Sequence, residues 1–289
     1  MRDIKRVVMW MAGALVSFST LAVAIRALSH GLNVYEILAI RNLGGIVVLG
    51  GYALARRERV AGPFPLRIHL LRNVFHFGGQ TAWAYGVTVL PLATVFSLEF
   101  TSPAWTTILA AVFLGERLTV ARIGAVVLGF IGVMVILQPG LGTFEPAALI
   151  VLGAAACFGV QITSTKFLTG RNSVLTIMMW MNLMQLPMYL AANVATGGEL
   201  WFGDKLAWSE TPALLALCLA GLLAHVCLTN AFRFGDATLV VPIDFLRIPL
   251  IATVGMVLYG ERFDPVILLG AAIILSGIAW NLRDSRGRA

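Results

Sequence analysis

One long apolar stretch of this chain occurs twice, and this recurrence constrains the fold more than any other feature. The run PLATVFSLEFTSPAWTTILAAVFLGER, residues 91–117, returns as VVPIDFLRIPLIATVGMVLYGER, residues 240–262. In each version an acidic residue inside the run stands seventeen positions before the glutamate of Gly-Glu-Arg, as Glu99 does before Glu116 and Asp244 before Glu261. Because an internal repeat decides the architecture, we expect one structural plan used twice.

The remainder of the chain follows the same duplication. A shift of 145 residues aligns Gln80 with His225, and a shift of 140 aligns Arg26 with Lys166. We therefore predict two structural units, with residues 1–139 as the first repeat and residues 140–289 as the second.

The composition places the repeats in a lipid bilayer. Of the 289 residues, 59% are hydrophobic and only 12% are charged, and the mean hydropathy is +0.88. A soluble domain of this size needs far more polar surface than that. The predicted fold class is an all-α integral membrane protein with ten transmembrane helices, arranged as two inverted five-helix repeats.

Ten apolar runs have the length of about 20 residues that a helix needs to cross a bilayer. They cover residues 7–28, 34–54, 66–89, 91–114, 120–138, 147–168, 174–194, 211–232, 237–259 and 265–282. Cleavage of the first run as a secretory signal is disfavoured, because it is long enough to span and the repeat needs it as a first helix. The segment 196–210 makes a sizeable loop, and its Trp201, Phe202 and Trp208 suit the membrane interface.

Orientation follows from the basic residues, which are enriched in cytoplasmic loops. With the N-terminus inside, the outer face holds only Arg26, Lys205 and Arg262, and the inner face holds Arg2, Lys5, Arg6, Arg56, Arg57, Arg59, Arg67, Arg117, Arg122, Lys166, Arg171, Arg233, Arg283, Arg286 and Arg288. We expect a multi-pass protein of the cytoplasmic (inner) membrane with both termini in the cytoplasm. Five spans per repeat is an odd number, so the second repeat crosses the membrane upside down, as in many secondary transporters.

Polar and ionisable side chains inside the spans mark the candidate site, since such groups usually face the protein interior or a wet cavity. At about 1.5 Å of rise per residue, Glu99 and Asp244 approach the midplane from opposite faces. Pro103 and Pro249 each remove a helical hydrogen bond beside these carboxylates. The predicted substrate-binding residues are Arg41, Arg72, His76, Gln80, Trp83, Glu99, His225, Asn230, Asp244 and Arg247.

Several of these residues also have purely structural interpretations. Asp244 and Arg247 are three apart on one helix face and could simply neutralise each other. Arg72 could snorkel to the headgroups, Arg41 could pair with Glu99, the two histidines could be ordinary satisfied polar groups, and Trp83 could be a packing aromatic. For Glu116 and Glu261, which sit at helix ends, helix capping and loop pairing is the preferred interpretation.

Other functional classes fit the sequence less well. The net charge of +7 comes from basic residues at the ends of apolar runs, so a nucleic-acid partner is not indicated. Cys157, Cys218 and Cys227 lie inside apolar runs without framework spacing, which disfavours disulfides and zinc, and no cofactor is expected. Motifs of intramembrane enzymes and of nucleotide-binding loops are missing from the sequence, and isolated mixed charges do not suit a channel.

The doubled pattern of a small-residue helix with an internal proline and a terminal Leu-Gly-Glu-Arg or Tyr-Gly-Glu-Arg, followed by a Gly-rich helix, resembles the EamA-type repeat of the drug/metabolite transporter superfamily. Within it, residues 34–86, with YEILAIRN, LLRN and TAWAYG, resemble the branch of bacterial S-adenosylmethionine and riboflavin uptake carriers. The resemblance implies ten helices, inverted repeats, cytoplasmic termini and a central cavity opened alternately to each side.

We therefore expect a secondary carrier, not an enzyme, for a small polar metabolite with anionic or zwitterionic character. Arg41 and Arg72 would hold the anionic group, and Glu99 and Asp244 would balance charge or take a coupling proton. Gln80, Trp83, His225 and Asn230 would orient the rest of the substrate. An efflux carrier for hydrophobic or cationic drugs or amino acids is the alternative, and proton coupling and the choice between monomer and homodimer stay open.

Overall fold

The computed structural model describes residues 4–60, 62, 65–114, 119–138, 145–169, 171–234, 240, 243–244, 246–262 and 264–286. Within these ranges the chain forms helices and no strand. The helices are α1 (Ile4–Leu28), α2 (Val34–Arg56), α3 (Leu66–Val89), α4 (Leu92–Glu99), α5 (Ser102–Leu114), α6 (Val120–Leu137), α7 (Ala147–Thr169), α8 (Val174–Ala195), α9 (Thr211–Phe234), α10 (Arg247–Tyr259) and α11 (Pro265–Arg286). Each of the ten predicted spans contains at least one of them.

Six of these segments are long and apolar enough to cross a membrane without interruption, namely those of α1, α2, α6, α7, α8 and α9. Their outward faces carry large apolar side chains, as expected for contact with lipid, for example Val47, Leu54, Val127 and Leu215. Helix α3 differs because it buries two histidines, an arginine, an asparagine and a glutamine. The chain is an all-α integral membrane protein whose most polar span lies inside the bundle.

The fourth span is broken where the sequence predicts a break. Helix α4 ends at Glu99 and α5 starts at Ser102, because Pro103 has no N–H to donate to the carbonyl of Glu99. That carbonyl instead accepts a hydrogen bond from the Ser102 hydroxyl. The interruption leaves the Glu99 side chain at the end of a short helix in the interior. The matching break near Pro242 and Phe245 lies outside the described residues.

The main packing partners come from opposite halves of the chain. Helix α1 packs on α9, α3 on α7, α2 on α8 and α6 on α11. Glycines allow the last pair to approach closely: a Cβ on Gly132 of α6 would lie 2.5 Å from the Gly270 carbonyl oxygen of α11. Small residues at such crossings let helix backbones approach in a bilayer, where packing drives association.

Polar contacts fasten the helix ends on the side of the 196–210 loop. Glu36, with no exposed surface, binds the Lys205 Nζ at 2.6 Å, and Asn33 at the start of α2 donates to Asn193 of α8 at 2.7 Å. The loop aromatics Trp201 and Trp208 are 70% and 94% exposed. Lys205 thus ties the loop to the buried Glu36 of α2, and Asn33 ties the start of α2 to the buried Asn193 of α8, while the indoles of the loop face outward.

Glu261 caps a helix of the other half of the chain. Its carboxylate accepts hydrogen bonds from the Leu92 N–H, at 3.0 Å for Oε2 and 3.2 Å for Oε1, at the start of α4, and it forms an ion pair with Arg26 at the end of α1. Arg26 also donates to the backbone carbonyls of Val87 and Leu90. The capping interpretation is confirmed for Glu261, whereas Glu116 lies outside the described residues.

Candidate functional site

Four of the predicted site residues lie on one face of α3. Arg72, His76, Gln80 and Trp83 follow one another at intervals of four, four and three residues, which is the spacing of side chains on one side of a helix. They are 4%, 4%, 6% and 3% exposed, respectively. This face is therefore turned into the bundle, and the neighbouring helices determine what it meets.

Arg247 at the start of α10 lies between two carboxylates. Its guanidinium contacts Asp244 Oδ2 at 2.7 Å and Glu99 Oε1 at 3.3 Å, and the Trp83 Nε1 donates to the other oxygen of Glu99 at 2.8 Å. The predicted Asp244–Arg247 pair thus forms, and Glu99 of the other half of the chain joins it. The predicted pairing of Arg41 with Glu99 is wrong, because Arg247 occupies that place.

Three phenylalanine rings enclose the same guanidinium. The Arg247 Cζ lies 4.3 Å from the centroid of Phe18, 4.7 Å from Phe100 and 5.4 Å from Phe96. Aromatic faces attract a cation, most strongly when it is desolvated. Sequence reasoning missed these rings, because phenylalanine is common throughout apolar spans and gives no signal of its own.

Arg41 on α2 is buried, and two of its guanidinium nitrogens lack a partner among the described residues. It is 6% exposed, and its Nε and Nη2 make no hydrogen bond to any residue that the structure describes. Its aliphatic stem packs near Gly221 of α9, where an added Cβ would lie 3.5 Å from Arg41 Cδ. A buried donor without an acceptor is costly, so a hydrogen-bond acceptor placed against these two nitrogens would stabilise the side chain.

Arg72 is held by helices on three sides. Its Nε donates to Thr165 Oγ1 of α7 at 2.7 Å, Nη1 donates to Asn73 Oδ1 at 3.2 Å, and Nη2 lies 3.7 Å from Met181 Sδ of α8. The alternative in which Arg72 snorkels to the headgroups is wrong, since the guanidinium is buried among protein groups.

Polar residues that sequence reasoning passed over complete this network. Gln185 of α8 lies 2.8 Å from His76 Nδ1 and 3.3 Å from Asn73 Oδ1, and Gln161 of α7 donates to Thr165 at 3.1 Å. A signal existed, because amides inside an apolar span are rare and Gln161 and Thr165 are spaced four apart on one helix face.

The remaining candidates are placed differently. The His225 ring of α9 meets Phe18 edge-on at 6.1 Å, and the charges of Arg41, Arg72 and Arg247 all act on it electrostatically. The amide of Asn230 donates to the carbonyl of Val226 in its own helix at 2.8 Å, and the structure gives it no contact with the other candidates. Gln80 Nε2 has no partner among the described residues.

The charged groups of the candidate site are unequal in number. Among the described residues, this site holds three arginines, Arg41, Arg72 and Arg247, against the two carboxylates Glu99 and Asp244, so it carries one more positive than negative charge when all are ionised. In the described part of the chain, no cluster of three or more His, Cys, Asp or Glu residues is arranged to hold a metal ion. Arg41 and Gln80 contribute hydrogen-bond donors that have no acceptor among the described residues.

An apolar exterior, a broken fourth span and an ionic interior define a multi-pass membrane protein of the transporter class. The model of the EamA-like transporter family matches the chain twice, over residues 5–138 and 145–283. The chain belongs to the EamA-like transporter family.

Curated relatives and a solved structure agree with this membership. A riboflavin transporter from Rhizobium johnstonii is 33% identical over 287 residues, which are 97% of this chain and 92% of the relative. An S-adenosylmethionine uptake transporter from Rickettsia felis is 28% identical over 270 residues, 92% of this chain and 88% of the relative. A crystal structure with 20% identity superposes with a TM-score of 0.66 over 97% of both chains, which shows the shared fold. The chain is similar to metabolite transporters along nearly its whole length.

Proposed function

We propose that this protein is a secondary carrier that moves a small, acceptor-rich metabolite of anionic or zwitterionic character across the cytoplasmic membrane by alternating access. The observation that carries the proposal is the buried Arg41 guanidinium, whose Nε and Nη2 have no acceptor among the described residues. A substrate oxygen that accepts these hydrogen bonds removes the desolvation cost of the empty site, so binding is favoured.

Charge separates the proposal from its main alternative. A carrier for cationic drugs needs a surplus of buried carboxylate, yet the two acidic groups are both occupied by Arg247. Arg41, with two nitrogens that lack an acceptor among the described residues, and the bonded Arg72 leave the site with a surplus of positive charge, which repels cations. The surplus therefore supports an acceptor-rich or anionic substrate and disfavours drug efflux.

The names of the relatives supply the first substrates to assay. One relative is named for riboflavin and another for S-adenosylmethionine. Riboflavin is rich in carbonyl and hydroxyl oxygens that can accept from Arg41 and Gln80, whereas the sulfonium of S-adenosylmethionine is a cation that the arginines would repel. Although riboflavin is uncharged, it supplies acceptors without a cation, so of these two compounds we expect riboflavin to be transported in preference.

Purified protein in proteoliposomes tests the proposal directly. Uptake of radiolabelled riboflavin and S-adenosylmethionine is measured for the wild type and for Arg41→Met. The matched control is Arg56→Met, because Arg56 is an exposed arginine at the end of the same helix. We expect Arg41→Met to lose uptake, with a folded yield equal to that of Arg56→Met. Full uptake by Arg41→Met would remove Arg41 from the site.

Two further arms address substrate identity and orientation. A ligand present at 100 times its Kd raises the free energy of unfolding of the carrier by about 2.7 kcal/mol. If neither labelled compound is taken up, the melting temperature measured with each member of a metabolite panel would identify the substrate. Reporter fusions at both termini test the proposed cytoplasmic placement, which periplasmic reporter activity would contradict.

A further inference from the structure

A network of hydrogen bonds joins α3 to α8 beside the candidate site, and its chemistry sets the protonation of His76. It runs from Arg72 through Asn73 and Gln185 to His76. All four residues are buried, with 4%, 1%, 0% and 4% of their surface exposed. The role inferred below rests on the proposed function, since it concerns how the same site holds its substrate.

Arg72 fixes the first step of the network because a guanidinium can only donate hydrogen bonds. The Asn73 atom that lies 3.2 Å from Arg72 Nη1 must therefore be an acceptor, which is Oδ1. The amide nitrogen of Asn73 is then directed to the Met184 sulfur at 3.1 Å. Reversing this amide would place two donors against each other.

Asn73 in turn fixes Gln185. The Gln185 atom nearest to Asn73 Oδ1, at 3.3 Å, must be a donor and is Nε2. The opposite orientation would bring the Gln185 oxygen against the Asn73 oxygen. In the observed orientation Gln185 Oε1 has no partner among the described residues, but the opposite orientation would set two amide oxygens against each other, so Asn73 decides the orientation of Gln185.

Gln185 finally fixes His76. The same Nε2 lies 2.8 Å from His76 Nδ1, and an amide nitrogen only donates. His76 Nδ1 therefore carries a lone pair, so the ring is neutral and its proton is on Nε2. The two ring nitrogens have distinct roles, and the bond at one sets the state of the other.

We propose that Gln185 is a positioning residue that locks His76 as the neutral Nε2–H tautomer, so that His76 donates a hydrogen bond to an oxygen of the substrate and does not carry a coupling proton. The charged and titratable groups that act on His76 agree with this role. They are Arg72 on its own helix, Arg41 on α2 and His225 on α9, and none of them is an anion that would stabilise an imidazolium. On α7, the Phe158 ring lies 6.1 Å from the His76 ring between centroids. Thr165, which accepts from Arg72, and Gln161, which donates to Thr165, are uncharged.

Nitrogen NMR of the solubilised full-length protein, labelled with ¹⁵N-histidine, reads the tautomer without any transport assay. The His76 signals are assigned by their loss in His76→Gln. We expect Nε2–H shifts that stay constant from about pH 5 to pH 8, the range in which an ordinary histidine titrates. In Gln185→Glu a carboxylate replaces the donor, so His76 should gain a proton on Nδ1 and titrate. A wild-type His76 that is Nδ1–H, or that titrates in this range, would overturn the proposal.

Transport supplies the second readout. A glutamine side chain places its N–H near the position of histidine Nε2, and an asparagine places its N–H near Nδ1. His76→Gln should therefore keep more uptake than His76→Asn, which should raise the half-saturating concentration by about tenfold, the loss expected for one hydrogen bond to the substrate. Gln185→Met, which removes the donor at equal volume, should show the same rise with kcat unchanged.

The two assays separate failure of this inference from failure of the proposed function. If NMR finds the Nε2–H tautomer of His76 but no tested metabolite is taken up, the carrier assignment is contradicted and the inference about Gln185 and His76 is supported. Equal uptake by His76→Gln and His76→Asn would reject the donor role even if NMR finds the expected tautomer. Thr163→Val on α7 is the folding control, because that hydroxyl bonds only to the Gly159 carbonyl of its own helix.

Discussion

Single buried side chains in this protein are stabilised by partners from the other half of the chain. The clearest case is Arg247, which binds Asp244 beside it in sequence and Glu99 from an earlier span. Desolvating three charges is expensive, and the attraction between them offsets that cost only while all partners are present. Removing one partner of the cluster should therefore destabilise the protein more than removing all of the charges together, and this difference can be measured.

Arg247→Met should destabilise the protein by about 3–5 kcal/mol, because it leaves two carboxylates buried without a cation. The triple variant Arg247→Met, Glu99→Gln, Asp244→Asn should recover most of that loss, since no buried charge remains. Thermal unfolding in detergent measures both. A triple variant as unstable as the single one would show that the cluster acts through packing around Phe18, Phe96 and Phe100 and not through charge.

At this scale the sequence identifies candidates but not their partners. Hydropathy and the 145-residue shift single out Glu99 and Asp244, because a charge inside an apolar run is conspicuous. The choice of Arg247 over Arg41 as the partner of Glu99 depends on which helices pack together. Two arginines at similar depth are equivalent in the sequence, so their partners become known only from the fold.

At the scale of whole helices, the two halves of the chain exchange packing partners. The first helix of one half, α1, packs on α9 of the other, and α7 packs on α3 in the same way. This exchange is what two repeats related by an approximate two-fold axis require. The break after Glu99 was predictable from Pro103, since proline removes a specific hydrogen bond, whereas the polar character of the α8 surface facing α3 became clear only from the packing.

Close packing of α6 on α11 yields a prediction at the scale of elements. Gly132→Ala should lower stability by about 1–3 kcal/mol, the usual cost of overpacking, because the new Cβ would lie 2.5 Å from the Gly270 carbonyl oxygen and 2.5 Å from an Ile274 side-chain carbon. Gly153→Ala on α7 is the matched control, since its Cβ would meet nothing within 4 Å. The thermal unfolding midpoints of the two purified variants are compared. Equal midpoints would mean that α6 and α11 can move apart without a loss of stability.

For the molecule as a whole, the contacts around Arg26 bear on alternating access. This side chain ties the end of α1 to the carbonyls of Val87 and Leu90 and to Glu261 beyond α10. Tyr259 stacks beneath it, with its ring centroid 4.9 Å from the guanidinium carbon. These contacts join three spans at the end that we assign to the outer face, so under the proposed alternating access an opening toward that face requires that they break.

Removing the charge of Glu261 should therefore favour opening to the outside. Glu261→Gln keeps an acceptor for the Leu92 N–H but loses the ion pair with Arg26, a charge-assisted bond worth about 1.5–3 kcal/mol.

Ala252 lines the small crevice beneath Glu261 and is 9% exposed. A cysteine at this position, in a background with the three native cysteines replaced by serine, therefore reports on opening. A membrane-impermeant maleimide added to whole cells should label this cysteine about tenfold faster in Glu261→Gln, the equivalent of about 1.4 kcal/mol. Arg262→Gln is the control, because it removes a neighbouring exposed charge and leaves the ion pair intact. Equal labelling of the two variants would contradict a gating role, and faster labelling only in inside-out vesicles would reverse the assigned orientation.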